Sequence, residues 1–249
     1  GSDLLQSKIE SLGIKIHLGK NSKEIIGENQ IEKIDFTDGT SLPIDMIIIS
    51  AGIRPRDEVA KNSGIAVGER GGIIVNNKME TSVPGIYAIG EVALYNQNIY
   101  GLVAPGYEMA GVALDQIMGG SKLMSPSIDM STQLKLVGTE VASFGDPFVE
   151  NADAVVIRYE NKQRGIYKRI NVSKDGSKLL GGILVGDSSD YNTLFQLYLN
   201  EIKLPENAED LILGQRGAGS KSLLGSVLDL PATAQICSCE SVSKGAICD

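Results

Sequence analysis

Residues 46–50, Met-Ile-Ile-Ile-Ser, are apolar without alternation, and Ala51 and Gly52 follow at once. A half-exposed strand alternates apolar and polar residues. An unbroken β-branched run suits a strand covered on both faces, as in a sheet flanked by helices. This single run points to an α/β architecture. Ala51 and Gly52 let the chain turn sharply at the strand end and let a ligand approach main-chain atoms; an ordinary strand-to-loop glycine explains them equally well.

The rest of the chain sorts around that strand. Residues 4–12 carry Leu5, Ile9 and Leu12 at helical spacing and end at Gly13, and residues 14–19 then alternate as a strand. Asp38 and Gly39 supply a hairpin turn between residues 30–36 and 41–50. Residues 68–91 hold two further short strands. Residues 104–120 form a helix with Met109, Val112, Ala113 and Ile117 on one face and Gly119-Gly120 as its stop. A boundary is expected near Ser125. Beyond it lies an antiparallel meander with turns at Glu160–Gln163 and at Asp175 and Gly176. An amphipathic helix over 190–202 follows, with Leu194, Leu197 and Tyr198 inward, and then a short helix within 204–213. The expected layout is a mixed α/β region at 1–125, an α+β module at 126–205, a helical linker at 206–231 and a tail at 232–249.

Composition removes several function classes. Lys+Arg number 23 and Asp+Glu 31, a net charge of −8, with no basic stripe for nucleic acid. The longest apolar runs are far too short to span a bilayer, and no leader opens the chain, so a cytoplasmic protein with no membrane partner is expected. One histidine and no tryptophan leave no His-based triad or multi-His metal site, and His17 reads as structural. The stretch around Gly219, Ser220 and Lys221 imitates a phosphate loop, but its lysine is out of register. Asp187 and Asp190 read as a turn without calcium-loop spacing. The Gly1-Ser2 opening, without Met, suggests a segment of something longer.

The most informative chemistry lies at Thr81–Ala93, "TSVPGIYAIGEVA". A short strand ends at Gly90, where no side chain blocks a ligand, and Glu91 can accept hydrogen bonds from hydroxyls. Residues 101–111, "GLVAPGYEMAG", then feed a helix start at Ala104, Pro105 and Gly106, whose free N–H groups and dipole favour negative charge.

Taken in order, "IIISAGIRP", "TSVPGIYAIGE" and the small-residue helix resemble pyridine-nucleotide-disulfide-type flavoprotein reductases. "YGLVAPGYEMA" and "STQLKLVGTEVASFGD" narrow the resemblance to the large subunits of NAD(P)H-dependent nitrite reductases. It implies FAD and NAD(P)H as cofactors, with Ala51 and Gly52 near them, Gly90 and Glu91 on the flavin's ribityl chain, and Ala104, Pro105 and Gly106 beside its ring. Most relatives carry Asp where this chain has Glu91. The fold implied is a partial FAD/NAD(P)-binding reductase fold followed by a smaller α+β interface-type module, which leaves room for a homodimer. Neither glycine-rich dinucleotide fingerprint is present, and no Cys-x-x-Cys redox pair exists.

Cys237 and Cys239 resemble the start of a bacterioferritin-associated-ferredoxin-like [2Fe-2S] domain, incomplete here because iron needs four thiolates. The implied function is part of an FAD-dependent NAD(P)H oxidoreductase passing electrons through flavin to an iron–sulfur centre, with nitrite reduced by downstream domains. The competing readings are a rubredoxin- or oxygen-type NADH reductase on the same frame, and a non-catalytic segment serving protein–protein contacts.

Overall fold

The computed structural model describes residues 1–126, 128–136, 138–149, 154–213, 230–237 and 242–248, the side chains of Cys237 and Cys248 excepted. Most of the expected linker at 206–231, including the glycine-rich stretch, lies outside the described residues, as does Cys239. The chain divides into two compact units, one of residues 6–53 and one of residues 1–5 with 54–249. Helix α1, Ser2–Glu10, opens the chain.

The unit of residues 6–53 holds an antiparallel meander of β1 (Ser22–Ile26), β2 (Lys33–Phe36) and β3 (Ser41–Pro43). Ile34 sits in the middle, opposite Ile25 on one side and Leu42 on the other, and is the buried position of its strand. The β2–β3 turn forms as its residues dictate. Asp38 accepts the Thr40 N–H at 3.0 Å, and Gly39 takes φ +84°, the left-handed region that glycine enters at no steric cost. Lys20 reaches back to the Asp38 carboxylate.

Two expected strands do not form in this unit. Residues 14–18 and 46–50 have no ladder partner, and Met46, Ile48 and Ile49 are 75%, 83% and 76% exposed. A strand is defined by its neighbours as much as by its own side chains. Among the described residues no strand pairs with this run, and only Ile47 within it is partly covered. β1 takes the outer place beside β2 instead.

The larger unit contains two apolar cores. The first gathers Val75, Met79, Ala93, Tyr95, Met109 and Val112. It lies between the inner face of α3 (Val103–Ile117) and a two-residue parallel pair, β4 (Ile73–Ile74) with β5 (Ala93–Leu94). The short helix α2, Glu58–Asn62, precedes that pair. α3 keeps the expected inward face at Met109, Val112 and Ala113, but Ile117 is 63% exposed because it falls in the final turn, past the end of that core.

The second core belongs to a five-stranded antiparallel sheet ordered β6-β7-β10-β9-β8. The strands are β6 (Thr132–Leu136), β7 (Thr139–Gly145), β8 (Ala154–Asn161), β9 (Ile166–Ser173) and β10 (Leu179–Val185). The β9–β10 turn forms at Asp175 and Gly176 as expected, while the β8–β9 turn sits at 162–165, two residues later than its expected place. Helix α4 (Tyr191–Leu199) and the short α5 (Asp210–Leu213) supply the covering layer. Phe144, Ile170 and Leu184 from the sheet meet Leu194 and Leu197 from α4 and Leu211 from α5. Tyr198 joins at the margin, its ring 5.8 Å from that of Phe144. In the tail, β11 (Gln235–Cys237) pairs with β12 (Val242–Ser243), and α6 (Lys244–Cys248) follows.

Candidate functional site

The segment Thr81–Ala93 reaches its geometry through turns rather than through a strand. Ile86 N–H bonds Val83 at 3.1 Å, Thr81 N–H bonds Ile86 at 2.8 Å, and Ala88 N–H bonds Met79 at 3.1 Å. Residues 86–89 are therefore extended but unladdered, with a single bridge between Glu80 and Tyr87. The expected strand at this place is a pinned extended segment. Ile89 is still extended at φ −138°, ψ 162°. At Gly90 the chain swings to φ +73° and enters a 3-10 turn, Gly90–Val92, before β5 begins.

Gly90 thus has two reasons to be glycine. Its backbone lies where an L side chain is strained, which is the first; the second is that the space a Cβ would point into holds no atom of the chain within 4 Å and is left for a ligand. The main chain is open on that side. Glu91, the next residue, is exposed, and its carboxylate is tied to no side chain or amide among the described residues.

α3 begins beside this turn. Its N-cap is Leu102, in the extended conformation typical of caps, and leucine has no oxygen to offer the first turn. No acidic residue stands in that turn either. Pro105, buried, brings no N–H of its own, so the donors left without intrahelical partners are those of Val103 and Ala104. The positive end of the helix dipole is therefore uncompensated by the helix's own residues. Helix and turn touch: a Cβ on Gly106 would lie 3.9 Å from Gly90 Cα. The Gly90 N–H donates to Met109 Sδ at 3.3 Å. Gly90 and Glu91 are in this way brought to one locus with Ala104, Pro105 and Gly106. Together they present open backbone, a free carboxylate and two helix-start donors, a set able to hold a ligand with both hydroxyls and negative charge.

Met109 was legible in the sequence only as a core position. The one signal of a second role is a thioether four residues, about one helical turn, after Pro105. Ala51 and Gly52 belong to the other compact unit, where both are exposed and Gly52 takes φ +87° with nothing within 4 Å of a Cβ. Cys237 lies on β11 with its side chain outside the described residues, and Cys239 is outside them altogether. Among the described residues no group of three or more His, Cys, Asp or Glu side chains could hold a metal ion. No helix among them is long and apolar enough to cross a membrane.

Comparison with known proteins gives this locus its context. Residues 2–116 match the pyridine nucleotide-disulphide oxidoreductase family, and residues 131–202 match the rubredoxin NAD+ reductase C-terminal domain. The NADH nitrite reductase large subunit of Escherichia coli K12 is 46% identical over 98% of this chain. Over residues 2–116 this chain is similar to the pyridine nucleotide-disulphide oxidoreductases. A second relative, the NAD(P)H nitrite reductase large subunit of Klebsiella oxytoca, is 47% identical over 100% of the chain. The chain spans 29% and 26% of the lengths of these two relatives. The ferredoxin reductase of the CYP199A2 system from Rhodopseudomonas palustris shares the fold, with a TM-score of 0.64 at 21% identity over 84% of this chain and 53% of that one. The oxidoreductase match at 2–116 contains all of the Gly90–Gly106 locus, and the second match coincides with the five-stranded module and α4.

Proposed function

We propose that this chain is the part of an FAD-dependent NAD(P)H oxidoreductase, of the nitrite-reductase kind, that forms one wall of the flavin site. The observation that carries it is the pairing of an open Gly90 backbone and a free Glu91 carboxylate with an uncapped helix start at Leu102–Gly106. Flavin, when bound, would supply the redox chemistry, hydride acceptance from a nicotinamide and onward electron transfer. The chain's own residues orient it. Glu91 accepts hydrogen bonds from the polyol arm, Gly90 admits close approach, and the Val103 and Ala104 N–H groups stabilise the cofactor's negative end. Nothing at the locus is an acid–base catalyst in this reading; the task is positioning and electrostatics.

Nitrite as the distal oxidant is supported by the two large-subunit relatives at 46% and 47% identity. A rubredoxin-type acceptor is the second reading, favoured by the match at residues 131–202. The three cysteines of this chain fall short of the four thiolates a [2Fe-2S] cluster needs, so no step is assigned to a cluster here.

The test is Gly90→Ala in the full-length protein. The added methyl meets no atom of the chain, so the apoprotein is destabilised only by the left-handed strain it introduces, about 1 kcal/mol. That is a melting shift of roughly 2–4 °C. FAD affinity should fall on the order of tenfold or beyond, about 1.4 kcal/mol or more. An FAD dissociation constant unchanged by Gly90→Ala and by Glu91→Gln removes the proposal. Turnover of the unmodified protein with nitrite against rubredoxin or oxygen separates the acceptors.

A further inference from the structure

The first N–H of a 3-10 turn has no partner inside the turn, and a half-buried amide needs one. At Gly90 that partner is not a backbone carbonyl but the sulfur of Met109, at 3.3 Å. Met109 is wholly buried on the inner face of α3, four residues after Pro105. Helical side chains lean toward the helix N-terminus, which brings this thioether back over the first turn, where Gly106 faces Gly90 with room for little more than a methyl between them. A leucine would fill much the same volume and offer no acceptor. Packing alone therefore does not account for sulfur at this point.

We infer that Met109 is a positioning residue: its thioether fastens the Gly90 turn to the first turn of α3 and so sets the spacing between the Glu91 carboxylate and the free N–H groups of Val103 and Ala104. The inference rests on the flavin-wall reading above and names the residue that holds the two halves of that wall in register. Without the bond, Glu91 and the helix start still exist but move independently, and a ligand that must engage both has to order them on binding.

The test compares full-length protein carrying Met109→Leu or Met109→Gln with the unmodified form. Two quantities are read: deuterium exchange at the Gly90 amide in the apoprotein, and the FAD dissociation constant by fluorescence titration. In Met109→Leu, exchange at Gly90 should quicken on the order of tenfold, as expected for one lost hydrogen bond. The FAD dissociation constant should rise roughly three- to tenfold, with the melting point moved by only a few degrees. Met109→Gln, whose side-chain carbonyl can accept the same N–H, should recover part of both. Unchanged exchange and unchanged affinity in Met109→Leu overturn the inference. So does an unprotected Gly90 amide in the unmodified protein, a result that needs no variant to fold. If the unmodified protein takes up no FAD, the flavin reading fails by itself, while Gly90 exchange still reports on the Met109 contact.

Discussion

Lys168 offers the sharpest thermodynamic test of the five-stranded module. It stands on β9, on the face that α4 covers, with its side chain only 6% exposed. Its Nζ lies 2.5 Å from Asp190 at the start of α4 and 3.0 Å from Asp187. Burial pulls the lysine's pKa down, but bonds to Asp190 and Asp187 outweigh it and leave the ammonium held above its ordinary value. Replacing Lys168 with Met keeps the apolar stem and deletes the charge.

Breaking a fully buried pair costs about 3–5 kcal/mol. Here both carboxylates stay about one-third exposed and can rehydrate, so the expected loss at pH 7 is smaller, about 2 kcal/mol. For a chain of this size that is a melting shift of roughly 4–8 °C. The pH dependence fixes the sign. Asp187 is held down to about 2, first by the Ser189 hydroxyl and further by Lys168. A carboxylate depressed in the folded state stabilises it above the ordinary carboxylate range, about 4, and that gain is lost as pH falls toward 2. The Lys168→Met deficit should therefore be full at pH 7 and shrink only as pH falls toward about 2, where the folded chain's Asp187 takes up its proton. Urea unfolding at pH 7 and at about pH 2.5 measures both. Equal stability of the variant and the unmodified chain at pH 7, or an undiminished deficit at about pH 2.5, refutes the assignment.

Two further outcomes follow from the same core. Phe144→Ala removes a wholly buried ring that meets Tyr191 edge-on at 6.2 Å and should cost about 3–5 kcal/mol, read by chemical denaturation. Gly182→Ala places a methyl 2.7 Å from Phe144 Cζ and 2.9 Å from the Arg169 carbonyl oxygen; overpacking there should cost about 1–3 kcal/mol, and the double change with Phe144→Leu should recover part of it.

Local chemistry was the legible part of this sequence. Asp38 with Gly39 and Asp175 with Gly176 turn where they were expected to, because a short acid and a glycine specify a turn without outside help. The inward faces of α3 and α4 were legible from 3.6-residue spacing, apart from Ile117 at the frayed end of its stripe. The runs at 46–50 and 86–89 were misread for a common reason. β-branched residues announce a preference for extended backbone, but a ladder depends on a second segment that the run itself does not encode. At the site, Gly90 and Glu91 stood out because a glycine before an acid is unusual punctuation. The missing cap was not legible, because the sequence places the helix start at Ala104 and only the structure puts Leu102 at the N-cap. The bond from Gly90 to Met109 spans nineteen residues and depends on the left-handed turn, so no spacing rule reveals it.

The uncovered row at Met46, Ile48 and Ile49 has a practical consequence. In water it behaves as an adhesive strip, its backbone amides as unsatisfied by neighbours as its side chains. A preparation of this chain by itself should cloud as it is concentrated, and more quickly in sulfate, which strengthens the association of oily surfaces. Mild detergent, by coating the strip, should keep the same preparation clear.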